Sequence, residues 1–315
     1  LMYYDVVIVG GGPAALSAAI YAGRYQRQPL VIAGQAIGGQ LLLTTDVDNY
    51  PGFPEGVPGA QLAMQMQQQA ERFGAEFMLD VVTSVDFSDQ PLRLFTGEGE
   101  VEAGSVILAP GTSRRKLGVP GEKEFSGRGV SYCATCDGFF FRGKNVAVIG
   151  GGDAAVEESI VLTRWVDRVT IIHRRDQWRA DRVLQEQANL NPKIIPLWDT
   201  VVEEVLGDQT VNRLSLRHVQ TGAQSSLEVE GVFIMVGSIP NTSFLTGQLD
   251  MDAHGYVSAD AMGRTSVPGV IAAGEVIAGS WAQVVVAAGS GANAAYAAEQ
   301  FLAEFEGRPQ PPRVR

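Results

Sequence analysis

Two stretches of the chain share one pattern of apolar, small and polar positions. Residues 6–33 read VVIVGGGPAALSAAIYAGRYQRQPLVIA, and 140 positions later residues 146–173 read VAVIGGGDAAVEESIVLTRWVDRVTIIH. In each, an apolar run meets three glycines, a small-residue helix start follows, and a second apolar run closes the segment. This pattern predicts strand, turn, helix and strand twice over, each in about thirty residues. Both turns fit G-x-G-x-x-A, with Gly10, Gly12 and Ala15 in the first and Gly150, Gly152 and Ala155 in the second. The first glycine permits the tight turn and the second lets backbone approach a pyrophosphate. The small third residue lets helix and strand pack closely. The pyrophosphate would then face the unpaired N–H groups and positive dipole end of the helix.

The rest of the chain completes these two units. Residues 91–110 read as paired strands leading to Ala109-Pro110-Gly111. Residues 200–236 alternate and turn twice before a buried strand, Val232 to Val236. Residues 268–275 form a further strand ending in Gly274-Glu275, followed by an alanine-rich helix. Residues 51–59 form a stiff Pro/Gly loop, after which Leu62, Met66, Ala70 and Phe73 make a helical stripe expected to be core. A terminal strand beside a small-residue helix belongs with the first nucleotide unit. The expected fold is therefore α/β, with two Rossmann-like nucleotide-binding domains and the second inserted into the first. The expected boundaries are 1–117 with 246–315 for one domain and 118–245 for the other, with hinges near 115–120 and 240–246.

Composition narrows the function. The chain has 315 residues, 45% hydrophobic and 19% charged, which excludes wholesale disorder. A net charge of −11 disfavours a nucleic-acid partner. No stretch reads as a membrane span. Residues 281–298 are apolar but contain Gln283, Ser290 and Asn293, as in a closely packed helix of a water-soluble fold. No basic region or small-residue cleavage site precedes the first strand, so a cytoplasmic location is expected.

The two repeats differ where ribose selectivity is set. A carboxylate ending the second strand would hold a ribose 2′-OH. The first repeat ends Ile32-Ala33-Gly34 and has none, so its nucleotide must be held by other segments. The second ends in His173, Arg174 and Arg175, with Arg179 following, and such a basic tip suits a 2′-phosphate. That favours NADP(H) over NAD(H). Both cysteines lie in Cys133-Ala134-Thr135-Cys136-Asp137-Gly138, just before the second repeat. Two cysteines with His173, His218 and His254 scattered elsewhere do not make a structural zinc site, and no metal is expected. A disulfide closing so short a loop would constrain little of the unfolded chain. Redox exchange is the natural use, with Asp137 adjacent to carry protons.

The motifs GGGPAA, GGQL at Gly38–Leu41, CATCDGFF at Cys133–Phe140, GGGDAAVEE, HRRDQWRA at His173–Ala180 and AAGE run in order along the chain. Together they resemble bacterial-type, low-molecular-weight thioredoxin reductase over almost the whole length. The resemblance implies a homodimer with an FAD domain split around an NADPH domain that carries the dithiol. It implies FAD on Gly10, Gly12, Pro13 and Ala14, lined by Gly39, Gln40, Asn49 and Gly111, with Gly274, Glu275, Trp281 and Gln283 near the ribityl chain and flavin. It implies NADPH on Gly150, Gly152, Asp153 and Ala154, with the 2′-phosphate on His173, Arg174, Arg175 and Arg179. Hydride would pass to the flavin and electrons on to the Cys133–Cys136 disulfide, Cys136 lying nearer the flavin. Cys133 would then attack the thioredoxin disulfide, with Asp137 handling the proton and Phe139 and Phe140 as apolar docking contacts. The inserted domain would rotate between two arrangements.

This chain departs from the family pattern at three places. Glu275 stands where the family has Asp, Trp281-Ala282-Gln283 where it has Tyr-Arg-Gln, and Ala109-Pro110-Gly111 where it has Ala-Thr-Gly. All three fall around the expected flavin site, where Trp281 offers a ring to stack on the isoalloxazine, while the basic tip is intact. Two other readings therefore stay open. One is a reductase fed by an electron-donor protein such as ferredoxin, and the other an FAD-holding redox sensor without rapid turnover.

Overall fold

The computed structural model describes residues 2–44, 46–309 and 311. The chain divides into two compact units, Leu1–Ser113 with Ile239–Arg315, and Arg114–Ser238. In the first unit the strands run, edge to edge, Glu76–Met78, Pro29–Ile32, Met2–Val9, Gly99–Leu108, Leu92–Thr96 and Ser84–Asp86. The long strand Gly99–Leu108 serves two neighbours on one side. Its first half pairs antiparallel with Leu92–Thr96, and Val106–Leu108 pairs parallel with Val270–Ala272. Val6–Val9 and Val106–Leu108 are buried throughout, which is why their sequence is continuously apolar and does not alternate.

Helices Pro13–Arg24 and Val284–Phe305 pack through alanine and glycine, close enough that a Cβ on Gly291 would lie 2.0 Å from the Ala14 carbonyl oxygen. Among the described residues, no helix is long and apolar enough to cross a membrane. The stripe of Leu62, Met66 and Ala70 is buried on helix Gly59–Arg72, and Phe73 terminates it. The ends of the unit meet at one side chain. Arg27, itself buried, donates to Glu299 (2.7 Å), Asp5 (3.0 Å) and Glu306 (2.9 Å). Three carboxylates share this guanidinium, so losing the buried Glu299 should cost more than losing Asp5 or Glu306, which are about a third exposed.

The second unit has a five-stranded parallel sheet in the order Val130–Ser131, Gly231–Ile234, Asn145–Ile149, Arg168–Ile172, Ile194–Leu197. The alternating region folds as an antiparallel sheet of Thr200–Gly207, Val211–His218 and Gln224–Glu228.

The chain crosses between units at different residues from those expected. The crossings fall at 113/114 and 238/239, where Thr112–Arg114 and Ser238–Pro240 pair with each other. The segments expected as hinges are each tied to their own unit. Buried Glu122 accepts from the backbone N–H groups of Leu117 (3.1 Å) and Gly118 (2.7 Å) and from the Tyr132 hydroxyl (2.8 Å). On the other side, Asn241 donates from its backbone to Gly111 O (3.0 Å) and from Nδ2 to Pro110 O (2.9 Å).

Candidate active site

The first glycine turn opens onto a cavity of about 820 Å³. Gly10 has φ +119°, and a Cβ there would lie 2.1 Å from the Ala109 carbonyl oxygen, so no other residue fits without backbone movement. Gly12 faces the other way: a Cβ on it would meet nothing within 4 Å. It N-caps helix Pro13–Arg24 with no side-chain cap, leaving the first-turn N–H groups for a ligand. The cradle and its open helix end fit a pyrophosphate.

Gly10, Gly12, Pro13, Ala14, Gly39, Gln40, Gly111, Gly274 and Glu275 all line this cavity. Glu275 is held by two donors on one oxygen, Thr112 Oγ1 at 2.7 Å and Gln40 Nε2 at 2.9 Å. Gln40 Nε2 also reaches the Thr112 carbonyl oxygen at 3.2 Å. Asn49 and Gln283 are joined to each other, Nδ2 to Oε1 at 3.0 Å, and stand outside the lining with Trp281. Trp281 is 62% exposed.

Sequence reasoning missed Thr112 and the segment Asp80–Thr83, which lines the cavity beside Ala33-Gly34. The Ala33 and Gly34 N–H groups donate to Met78 O and Asp80 O, which brings that segment to the carboxylate-free end of the first repeat. The Asp80 carboxylate accepts from the Val81 and Glu98 N–H groups, and these hold it below the usual carboxylate range. No motif marks this stretch; only strand pairing brings it here.

The second turn repeats the geometry. A Cβ on Gly150 would lie 2.4 Å from the Met235 carbonyl oxygen, while one on Gly152 would meet nothing within 4 Å. Gly152 likewise N-caps helix Asp153–Leu162 without a side-chain cap. The basic tip folds back onto this turn: the Arg179 N–H donates to Gly151 O (2.6 Å) and the Asp181 N–H to Asp153 Oδ1 (2.6 Å). Arg174, Arg175 and Arg179 are exposed, but His173 is not. Its ring is 5% exposed and packs under Gly151, where an added Cβ would lie 2.4 Å from it. Burial and the neighbouring Arg179, Arg175 and Arg174 push its pKa down, so the ring is a neutral floor to the turn, not a fourth cation. Its Nε2 and the Trp178 Nε1 are buried with no hydrogen-bond partner among the described residues.

Cys133 and Cys136 are disulfide-bonded, with Cα atoms 5.3 Å apart. Cys133 N-caps the short helix Ala134–Asp137, and its Sγ accepts from the Cys136 N–H at 3.1 Å. The Ser131 hydroxyl donates to Asp137 Oδ2 (2.6 Å) and accepts from the Cys133 N–H (3.1 Å). Burial pushes the Asp137 carboxyl above its usual range, and the Ser131 hydroxyl pulls it partly back. An acid raised in this way beside a disulfide suits proton transfer to a departing sulfur. Phe139 and Phe140, 55% and 50% exposed, stand beside the turn and meet edge to face.

Known proteins of similar sequence and fold identify the family. The sequence profile of the pyridine nucleotide-disulphide oxidoreductases matches residues 4–291. A thioredoxin reductase of Streptomyces coelicolor is 48% identical over 302 residues, covering 95% of this chain and 94% of its own. One from Mycolicibacterium smegmatis is 46% identical over 304 residues, 96% of this chain and 97% of its own. The crystal structure of thioredoxin reductase from Streptococcus pyogenes superposes with a TM-score of 0.91 at 40% identity, covering 96% of this chain and 99% of that one. With its two glycine cradles and bonded C-x-x-C, the chain belongs to the pyridine nucleotide-disulphide oxidoreductase family, on its bacterial thioredoxin reductase branch.

Proposed function

We propose that this enzyme carries electrons from NADPH through FAD to the Cys133–Cys136 disulfide and on to thioredoxin. The observation that carries the reading is the presence in one chain of two open glycine cradles and a bonded C-x-x-C turn. The 820 Å³ cavity would hold FAD through Gly10, Gly12, Gln40, Gly111 and Glu275. The second cradle would hold NADPH through Gly150 and Gly152, with the 2′-phosphate on Arg174, Arg175 and Arg179 above the His173 floor. When bound, the flavin supplies a two-electron relay between a nicotinamide and a disulfide.

The residues of the chain do the rest. The Cys133–Cys136 bond takes two electrons and two protons to become a dithiol. The Cys133 thiolate then attacks one sulfur of a thioredoxin disulfide, forming a mixed disulfide and releasing the other thioredoxin sulfur as a thiolate. Cys136 attacks Cys133 Sγ, which restores the ring and frees reduced thioredoxin. Asp137, uncharged more readily than an ordinary aspartate, moves the proton at Cys136. Phe139 and Phe140 offer the incoming protein an apolar edge beside the reacting sulfur. The family resemblance supports a cytoplasmic homodimer.

An anaerobic titration of the yellow holoenzyme tests this. NADPH is expected to bleach the flavin absorbance band stoichiometrically, and NADH to do so far less effectively. Bleaching by dithionite alone would remove NADPH as donor and leave an electron-donor protein in its place.

A further inference from the structure

A half-buried acid that takes no part in the electron path lies beside the disulfide. Glu158 lies on helix Asp153–Leu162, the helix that opens at the second glycine cradle. Its Oε2 accepts from the backbone N–H groups of Ala134 (2.6 Å) and Thr135 (3.1 Å), and its Oε1 from the Thr135 hydroxyl (3.4 Å). These are the two residues between the cysteines. The other N–H groups of the turn are satisfied separately: Cys133 by Ser131 Oγ, Cys136 by Cys133 Sγ, and Asp137 by Cys133 O. A C-x-x-C turn that leads into a helix ordinarily uses its free N–H groups to stabilise the thiolate of the first cysteine. Here a carboxylate occupies two of them.

We propose that Glu158 is a positioning residue that sets the redox poise of the Cys133–Cys136 pair. Its hydrogen bonds to Ala134 and Thr135 brace the turn around the closed ring. Its negative charge opposes the field that would otherwise favour thiolate at Cys133, keeping the dithiol a strong reductant. Of the other acids close in sequence, Asp137 lies on the same turn and Glu157, which is exposed, on the same helix, where its charge adds to that of Glu158. Glu158 needs no substrate contact for this, since its effect passes through the Ala134 and Thr135 backbone. The proposal rests on the redox role assigned above to the two cysteines.

The test is the dithiol–disulfide equilibrium of the full-length holoenzyme in buffers of reduced and oxidised dithiothreitol. Samples are trapped with a maleimide and weighed by mass spectrometry. With only two cysteines in the chain, each mass reports one state. Glu158→Gln keeps an acceptor and removes the charge, and it is expected to shift the equilibrium roughly tenfold toward dithiol, about 30 mV for a two-electron couple. Glu158→Asp keeps the charge and is expected to stay near the parent value. An unchanged equilibrium in a folded Glu158→Gln, or an equal shift in both variants, overturns the proposal. Failure of the electron path itself reads differently: NADPH would not bleach the flavin, while the thiol equilibrium would still move.

Discussion

The two glycine turns are nearly the same object built twice. Gly12 and Gly152 N-cap their helices with backbone angles of −82°/−178° and −94°/−177°. Gly10 and Gly150 each press against the carbonyl of a residue just past a neighbouring strand, Ala109 and Met235. What differs is everything around them. The first turn leads into Pro13 with no acid in its first helical turn, and it faces a cavity walled by distant segments. The second leads into Asp153, whose carboxylate is already engaged by the Asp181 N–H, and it is roofed by a returning basic loop. A shared loop therefore fixes the class of ligand, a dinucleotide, and the surroundings decide which one.

The most severe way to break this comparison is to add one methyl group to each turn. Gly10→Ala and Gly150→Ala each force a Cβ against a backbone carbonyl at a positive φ, +119° and +154°. Each is expected to cost roughly 3 kcal/mol or more, read as a lowered Tm. Their consequences should separate: Gly10→Ala purifies colourless, while Gly150→Ala keeps its flavin but is reduced only by dithionite. Next in size is the double variant Arg174→Gln/Arg175→Gln. Losing two charge-assisted hydrogen bonds, each worth about 1.5–3 kcal/mol, should raise the KM for NADPH by about 100-fold or more. The KM for NADH should barely move, erasing the preference.

A smaller effect sharpens the first side of the comparison. Glu275→Ala removes the acceptor shared by Gln40 and Thr112 at the cavity wall, and FAD is expected to bind about tenfold more weakly. Fluorescence of released FAD on dilution would measure this. The smallest concerns the floor of the second turn. The buried His173 ring is held neutral, its pKa below the ordinary 6.5. As the pH falls from about 6.5 toward that lower value, the unfolded chain takes up a proton that the folded chain refuses. Stability therefore falls with acidification, by at most about 1.4 kcal/mol per pH unit. Thermal melts between pH 7 and 5.5 should show this slope in the parent and lose it in His173→Phe.

The features legible in the sequence were those where one residue type is physically required. Glycine is compulsory where a Cβ would strike a carbonyl, and two cysteines three apart have few uses, so the cradles and the dithiol were readable at residue level. Features that depend on three-dimensional phase were not. Glu157 and Glu158 are adjacent and chemically identical, yet only the second turns inward to the Ala134 and Thr135 N–H groups. His173 belongs by residue type with its arginine neighbours, but strand alternation and the packing of Gly151 bury it. Glu122 likewise anchors the Leu117–Gly118 backbone, and no local pattern announces a buried carboxylate's partners.

The Arg27 knot has a consequence for how the chain is made. Its partners Glu299 and Glu306 lie 272 and 279 residues away, beyond the whole inserted unit. During synthesis the stretch 114–238 has left the ribosome with all its strands before the last helix of the other unit exists. The inserted unit can thus complete its sheet first. The first strands of the outer unit must wait, with Asp5 as the one carboxylate partner of Arg27 yet made, for the C-terminal helix to arrive. Closing that loop through a folded insert, whose own ends already lie side by side in the paired crossings, costs far less chain entropy than closing it through a coil. Birth order, more than affinity, would then decide which half of this enzyme needs a chaperone.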